Sequence, residues 1–362
     1  GEGASPAAFV APPPTPNPGV VPGNVDPRAS GSLPVGPDDR GWWQEFSGSA
    51  SGSGISGGNS VALEPAVAAT ASARFVAWAD ARNGNYEIYV ARNQDGVWSE
   101  LGGSASFGGV TESLAQSRRP SLAVDGGDPI VAWTESSGGV SNVKVARWNG
   151  TSWVALGESL DGDGISNSGA ADEARVVITS SGPVVAWVDR SSGTAQVHAK
   201  RFNGTSWVSL GGSVALTSVA GGVSQIAAAA EGGAVAIAWV QGSGSGAEVF
   251  SRQWNAATNT LTSALNVSGN AGASTAPTLA YLDGVLFAAW QDQSSGREEI
   301  YAKRLVAGAW QDASIASASG QGVSFTTGRT LMPKLSSGGG KLVLVWGDDS
   351  VQARPDNTIA FY

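Results

Sequence analysis

Hydrophobic and polar residues alternate in short runs along most of the chain, and the runs recur with a nearly constant period. Each of six apolar runs (FVAW, IVAW, VVAW, AIAW, FAAW and LVLVW) ends in a tryptophan. These tryptophans are spaced by 51 to 56 residues, at Trp78, Trp133, Trp187, Trp239, Trp290 and Trp346. Self-similarity at a fixed period of this size is typical of repeat architectures. The pattern therefore predicts one small β unit copied six times.

Each copy contains the patterns of four short strands. The first begins thirteen residues before the tryptophan, at a proline in four copies (Pro65, Pro120, Pro277 and Pro333). A turn rich in Gly, Asp and Ser leads to the tryptophan strand, and a third strand follows with clear alternation, as in EIYVAR. The fourth follows an Asn-Gly or Asp-Gly turn, as in DGVWSELG and NGTSWVALG. Hairpin turns between alternating strands predict an all-β fold, a six-bladed β-propeller of four-stranded antiparallel blades.

The last copy lacks its fourth strand, because the chain ends after the third, at residues 358–362. Residues 41–48 carry the missing pattern, with Trp43 aligned to the fourth-strand tryptophans of other copies. We expect this N-terminal strand to complete the last blade and close the ring, since an open ring would leave unpaired strand edges. The predicted domains are thus a propeller over residues 41–362 and a Pro-rich extended arm over residues 1–40.

Composition excludes several classes of function. The chain has no cysteine, which rules out disulfides and thiol nucleophiles. Its net charge is −9, so nucleic acid and anionic membranes are unfavourable partners. No apolar run approaches the ~18 residues of a membrane-spanning helix. The first residue is Gly rather than Met, which suggests a mature end left by signal-peptide removal and predicts a secreted or cell-surface protein.

Most residues with chemical potential belong to repeated sets. The single histidine, His198, aligns with Tyr89 and Lys144 of other copies, so no catalytic residue is predicted. An acid stands two residues after most of the repeat tryptophans, and we expect each to bond the following turn, although a ring of cation or ligand sites is the alternative. The predicted structural set comprises the six repeat tryptophans, in the blade core, and Asp80, Glu135, Asp189, Asp292 and Asp348.

Two other groups are weaker candidates for binding. The fourth-strand tryptophans could stack on a sugar ring, because an outer strand is partly exposed; they are Trp98, Trp153, Trp207 and Trp310. Asp161 and Asp163 alternate with glycine in a loop, a pattern compatible with calcium, which prefers oxygen ligands. No other cofactor is predicted.

Two segments, Trp78–Tyr89 and Trp290–Tyr301, resemble the W-x-D-x-R-x-G-x-x-x-I-Y repeat of exported bacterial propellers of the TolB-like and WD40-like kind. This resemblance implies a propeller that serves as a protein-interaction or surface module. The turn Asn93–Trp98 also resembles the Asp-box of sialidases. The Asp is replaced in the equivalent turn at Asn149, and no arginine triad can be assigned, which weighs against sialidase activity.

The prediction for function is a non-catalytic extracellular scaffold, a subunit of a larger assembly or filament, and not an enzyme. Its arm would dock on a neighbouring copy or another surface protein through Phe9, Val10, Val20, Val21 and Leu33. Two alternatives stay open: a carbohydrate-binding lectin with sites between blades, and a glycoside hydrolase of propeller fold.

Overall fold

The computed structural model describes residues 46–49, 51–57, 60–212, 215–324 and 328–349, together with the backbone of Ala360–Phe361. The predicted arm, with its anchors Phe9, Val10, Val20, Val21 and Leu33, lies outside the described residues. So does most of the predicted closing strand, including Trp43.

The described residues form six sheets with antiparallel strand pairing. The first sheet contains β1 (Ala62–Ala69), β2 (Ala73–Asp80), β3 (Glu87–Gln94) and β4 (Val97–Glu100). The second contains β5 (Gln116–Asp125), β6 (Asp128–Ser137), β7 (Val140–Trp148) and β8 (Trp153–Ala155). The third contains β9 (Ala171–Thr179), β10 (Gly182–Asp189), β11 (Gln196–Phe202) and β12 (Trp207–Ser209).

The remaining sheets vary more in their outer strands. The fourth contains β13 (Val223–Glu231), β14 (Ala234–Gln241), β15 (Glu248–Asn255), β16 (Thr260–Leu261) and β17 (Leu265–Asn266). The fifth contains β18 (Ser274–Leu282), β19 (Val285–Asp292), β20 (Glu299–Val306) and β21 (Ala309–Asp312). The sixth contains β22 (Thr330–Gly338), β23 (Lys341–Asp348) and β24 (Ala360–Phe361). Two 3₁₀ turns, Leu210–Gly212 and Gly244–Gly246, are the helical segments of the described chain.

The prediction of an all-β fold built from four-stranded antiparallel sheets is therefore confirmed. Sheets of this size and connectivity are the blades of which β-propellers are made. No helix in the described part of the chain is long and apolar enough to cross a membrane.

The chain divides into two compact units, each described here by itself. The described part of one unit comprises residues 46–176 and 204–207; that of the other comprises residues 177–203 and 208–361. In the first unit, the tryptophan strands pack sheet on sheet around Phe75, Ile88 and Trp133. In the second, equivalent cores form around Trp239 and Trp290. The repeat tryptophans are at most 6% exposed, which accounts for the apolar runs that precede them.

A bulge interrupts the first strand of the sheets at one repeated position. The pairing register shifts between Leu63 and Ala66 in the first sheet, and four other sheets shift at the same point of the repeat. The residue fourteen before each repeat tryptophan has a positive φ of 50° to 57° although none is glycine: Glu64, Arg119, Glu173, Gln225, Ala276 and Met332. Left-handed backbone is unfavourable for such residues, so packing around the bulge holds it.

The first described residues repeat a contact seen elsewhere in their unit. The indole nitrogen of Trp98 donates to the carbonyl oxygen of Phe46 at 2.7 Å. Trp153 donates in the same way to Leu101 at 3.0 Å. Phe46 thus accepts a bond from Trp98 just as Leu101, which follows a fourth strand, accepts one from the tryptophan of the next copy. This contact agrees with the predicted alignment of residues 41–48 with a fourth strand.

Candidate functional site

In three copies, the acid after the repeat tryptophan accepts a hydrogen bond from the turn that follows it. In the first sheet, Asp80 accepts a hydrogen bond from the indole nitrogen of Trp78 at 3.2 Å and from the backbone nitrogen of Arg82 at 2.9 Å. Burial alone would raise the pKa of Asp80, but bonds from Arg82, Ser60 and Trp78 outweigh it and the pKa is lowered. The carboxylate of Asp80 thus forms its hydrogen bonds with residues of its own copy of the repeat.

The pattern holds in alternate copies. Asp189 accepts from Trp187 at 3.0 Å, and Asp292 accepts from Trp290 at 2.7 Å. In the other three copies the described contacts give the buried indole nitrogen no acceptor: Trp133, Trp239 and Trp346. Their acids or amide are Glu135, Gln241 and Asp348.

The indole nitrogens of the fourth-strand tryptophans donate hydrogen bonds to the neighbouring copy of the repeat. Besides Trp98 and Trp153, Trp207 donates to the carbonyl oxygen of Leu156 at 2.8 Å, and Trp310 donates to the hydroxyl of Ser251 at 3.1 Å. Such bonds fix each ring against the neighbouring copy. Sugar stacking on these rings stays a prediction.

The loop with the predicted calcium ligands already contains a cation. The Lys144 ammonium donates to the carbonyl oxygens of Leu160, at 3.0 Å, and Gly162. Asp163 accepts from the amide of Asn142 at 3.1 Å, and Asp161 is exposed. Within the described residues, no group of three or more His, Cys, Asp or Glu side chains is arranged to hold a metal. Calcium binding here stays a prediction.

His198 lies against Trp187 with ring centroids 5.8 Å apart. Burial lowers its pKa, although Asp189 opposes that effect. The ring thus fills a repeated position next to the tryptophan, as the sequence alignment with Tyr89 predicted.

A second group of charged residues departs from the repeat and gathers at the first-strand bulges of three successive sheets. We call it the bulge cluster; it lies within one unit and comprises Glu64 on β1, Arg118 and Arg119 on β5, and Asp172, Glu173 and Arg175 on β9.

Arg119 is the centre of the bulge cluster. Its guanidinium forms an ion pair with Asp172 through one terminal nitrogen and lies 3.9 Å from Glu64 through Nε. Its backbone nitrogen also donates to Glu64 at 2.7 Å. Arg118 adds an ion pair to Glu64 at 2.9 Å and places its guanidinium 4.6 Å from the ring centroid of Tyr86. Carboxylates from two different sheets thereby lie beside one guanidinium.

The two adjacent acids of β9 differ in their contacts. Asp172 pairs with Arg119 and accepts from the hydroxyl of Thr134 at 3.2 Å. Glu173 has left-handed backbone and makes no ion pair among the described residues. Its charge acts at longer range on Arg175: burial lowers the pKa of Arg175, and Glu173 opposes that effect only in part. The carboxylate of Asp172 is therefore held by two partners, whereas that of Glu173 has no ion pair among the described residues.

The bulge cluster borders a small polar cleft of about 170 Å³. Arg118, Arg119 and Asp172 line it with the side chains of Gln116 and Thr134. The volume is below the ~300 Å³ lower end of pockets for drug-sized ligands, so the cleft suits a small polar unit rather than a large cofactor.

Sequence reasoning missed the bulge cluster, although one signal was present. The position fourteen residues before the tryptophan varies in charge from copy to copy: Glu, Arg, Glu, Gln, Ala and Met. The position before it is likewise charged in two copies, at Arg118 and Asp172. A position that a repeat keeps in backbone but varies in charge is a candidate for function, because its chemistry is not needed for the fold.

No protein-family model matches this chain, and no curated protein is similar enough to count as a match. Solved structures do match. The endo-arabinase of Bacteroides thetaiotaomicron is 13% identical, with a TM-score of 0.42, covering 83% of this chain and 93% of that one. A thermostable family-43 glycoside hydrolase is 12% identical, with a TM-score of 0.41, covering 70% and 93%. YjhT is 12% identical, with a TM-score of 0.45, covering 82% and 96%.

These matches contradict two predictions from the sequence, the non-catalytic scaffold or filament subunit and the assignment as a non-enzyme. The similar structures include several glycoside hydrolases. The charged residues at the bulges had no part in that assignment. The likenesses are distant.

Proposed function

We propose that this protein is a glycoside hydrolase whose reacting groups lie in the bulge cluster. The observation that carries the proposal is the pairing of Arg119 with Glu64 and Asp172 beside a polar cleft, with Glu173 next to Asp172 on the same strand. The acids after the repeat tryptophans lack this arrangement, since Asp80 and Asp292 are consumed by their own turns.

Hydrolysis of a glycosidic bond requires two carboxyl groups in different roles. One donates a proton to the departing oxygen as the bond to the anomeric carbon breaks, and the other supports the positive charge that develops on the sugar. Water supplies the hydroxyl group that the anomeric carbon gains, and its remaining proton restores the carboxylic acid that protonated the departing oxygen. We assign proton donation to Glu173, which has no ion pair, and charge support to Asp172, which Arg119 and Thr134 hold in place.

The rest of the cleft suits a neutral, hydroxyl-rich ligand. Thr134, Ser136 and Ser141 line it together with the amide of Gln116, so donors and acceptors surround the space. Arg118 and Arg119 offer further donors while their charge is balanced by Glu64 and Asp172. A sugar unit can exchange its water contacts for these groups without leaving a buried charge unpaired.

The test is hydrolysis of a panel of polysaccharides and aryl glycosides, with arabinan first because arabinan hydrolases are among the similar structures. Release of reducing ends is measured for the natural chain and for Glu173→Gln and Asp172→Asn. We expect each variant to lower kcat by at least about 100-fold, the usual contribution of a positioned acid or base.

The matched control is Glu158→Gln, which changes an exposed acid of the same unit and should leave the rate unchanged. Turnover that survives both Glu173→Gln and Asp172→Asn would assign the reaction to another site. Saturable sugar binding without any turnover by the natural chain would replace the hydrolase with the lectin alternative.

Three further predictions from the sequence accompany the proposed hydrolase activity as proposals: the location, the relation to a repeat family, and binding by the arm. An extracellular location agrees with a glycan as substrate. The relation to TolB-like repeats rests on the segment Trp78–Tyr89. Binding of a partner by the arm is tested by comparing the full chain with a form lacking residues 1–40.

A further inference from the structure

A second cavity lies at one end of the fourth sheet, apart from the bulge cluster and within the other unit. Its volume is about 390 Å³, and its polar and aromatic walls are Gln241, Glu248 and Phe250. The remaining walls are small residues of two loops, such as Ala220 and Gly242. None of the lining residues is basic, so the carboxylate of Glu248 leaves the cavity negative.

In the first sheet, the position equivalent to this cavity is filled by the side chain of Arg82. Arg82 follows its repeat tryptophan by four residues, and its guanidinium lies 4.3 Å from the ring centroid of Tyr89. One terminal nitrogen of Arg82 pairs with Asp80 at 2.6 Å and donates to the carbonyl oxygen of Ser56 at 2.7 Å. The guanidinium thus stacks on the ring that pairs across the strands with Trp78.

The second sheet fills the place with an ammonium instead. Lys144 stands opposite Trp133, where Tyr89 stands opposite Trp78. Its Nζ lies 3.8 Å from Glu135 and donates to loop carbonyl oxygens. Two copies of the repeat therefore place a cation of their own beside the acid that follows the tryptophan.

The fourth sheet keeps the walls of this place and lacks the cation. Phe250 stands opposite Trp239 and stacks on it, with centroids 6.3 Å apart and ring planes 15° apart. Ser243 occupies the position of Arg82, and Gln241 that of Asp80. Glu248 accepts bonds from Ser268 and from the backbone nitrogen of Gly269, which fix its carboxylate at the wall.

We propose that this cavity binds a guanidinium group that comes from outside the chain. The group stacks on Phe250 as Arg82 stacks on Tyr89, pairs with Glu248, and donates to the side-chain oxygen of Gln241. Lys303 acts on Glu248 from outside the cavity, where its ammonium donates to the carbonyl oxygens of Val267 and Ser268. An aromatic face and a carboxylate in a lining without a basic residue are the features that select an organic cation. The group belongs either to an arginine of a partner peptide or to a free guanidino compound.

The first experiment titrates the full chain with N-acetyl-arginine methylamide and follows binding by calorimetry or by ligand-detected NMR. The citrulline counterpart is the matched control ligand, since it keeps the shape and loses the charge. We expect saturable binding of the arginine compound, with the citrulline compound at least about tenfold weaker. Equal affinity for the two, or no binding of the arginine compound, would overturn the proposal.

Variants locate the site. Phe250→Leu and Glu248→Gln should each weaken the arginine compound by about three- to tenfold, the range expected for loss of a cation–π contact or a partly exposed charge pair. The double variant Gln241→Asp with Ser243→Arg rebuilds the Asp80–Arg82 pair inside the cavity and should abolish binding. Ser294→Arg makes the same change in the fifth sheet and should leave the affinity unchanged.

A tripeptide with arginine at its centre distinguishes the two sources of the group. Binding at least tenfold tighter than that of the single arginine compound identifies a peptide, and equal binding identifies a free guanidino compound. Binding that survives the cavity-filling double variant would place the guanidinium elsewhere and overturn the assignment. None of these measurements depends on glycoside hydrolysis, so the two proposals stand or fall separately.

Discussion

At the scale of single residues, the backbone of the first-strand bulge connects the fold to the candidate site. Six non-glycine residues share its left-handed conformation, and three of them are the charged residues Glu64, Arg119 and Glu173. A left-handed residue with a Cβ is disfavoured by roughly 1–2 kcal/mol. The left-handed conformation is present at charged residues and also at the uncharged Gln225, Ala276 and Met332. The bulge is therefore a feature of every copy of the repeat, whereas the charges are specific to the bulge cluster.

Ala276 tests the strain without touching the cluster. Ala276→Gly should raise the free energy of unfolding by about 0.5–1 kcal/mol, because relief of the left-handed strain exceeds the entropy that glycine gains in the unfolded chain. Chemical denaturation measures the difference. Ala280→Gly, in the paired and buried part of the same strand, should lower the free energy instead. A loss at both positions would show that the bulge carries no strain.

At the scale of strands and sheets, the hydrogen bond of the repeat tryptophan divides the copies into two kinds. Trp187 and Trp239 are each 1% exposed and each lies against an aromatic ring of the next strand. The indole nitrogen of Trp187 donates to Asp189, whereas that of Trp239 has no described acceptor. The two sheets thus differ in one bond at otherwise equivalent places.

Replacement of either tryptophan by phenylalanine removes the same volume, so the difference between the variants isolates the bond. Trp187→Phe should destabilise by about 1–2 kcal/mol more than Trp239→Phe, because it removes one of the donors to the buried carboxylate of Asp189. Urea unfolding of both variants gives the comparison. Equal losses would mean that the bond between Trp187 and Asp189 contributes nothing beyond packing.

Strand patterns were predictable because hydrophobic alternation records burial. The run before Trp78 lies in β2, and EIYVAR lies in β3. The bulge was not predictable, since nothing in the local sequence requires Glu64 or Ala276 to be left-handed and only packing imposes it. The bulge cluster depends on that bulge and on three sheets being neighbours in order, so its ion pairs cannot be read from one segment. The outer part of the fourth sheet also differs, because a longer turn replaces Asn-Gly-Thr and leaves β16 only two residues long.

At the scale of the whole molecule, the repeat predicts a closed ring with residues 41–48 as its closing strand. That closure stays a prediction, since residues 41–45 lie outside the described residues. The described end of the segment already behaves as a fourth strand does elsewhere. Phe46 accepts from Trp98, and its backbone nitrogen donates to the hydroxyl of Ser49, as Leu101 donates to Ser104.

Two truncations separate the closing segment from the arm. Removal of residues 1–49 takes away the acceptor of Trp98, the bond from Ser47 to Gly96 and the ring of Phe46, which lies 4.4 Å from the guanidinium of Arg74. Together these contacts should lower the free energy of unfolding by about 3 kcal/mol. Removal of residues 1–40 should change it by less than about 0.5 kcal/mol, because the arm contributes little apolar surface to bury. Equal stability of the two truncated chains would show that residues 41–49 complete no sheet, and the ring would then have to close by another route.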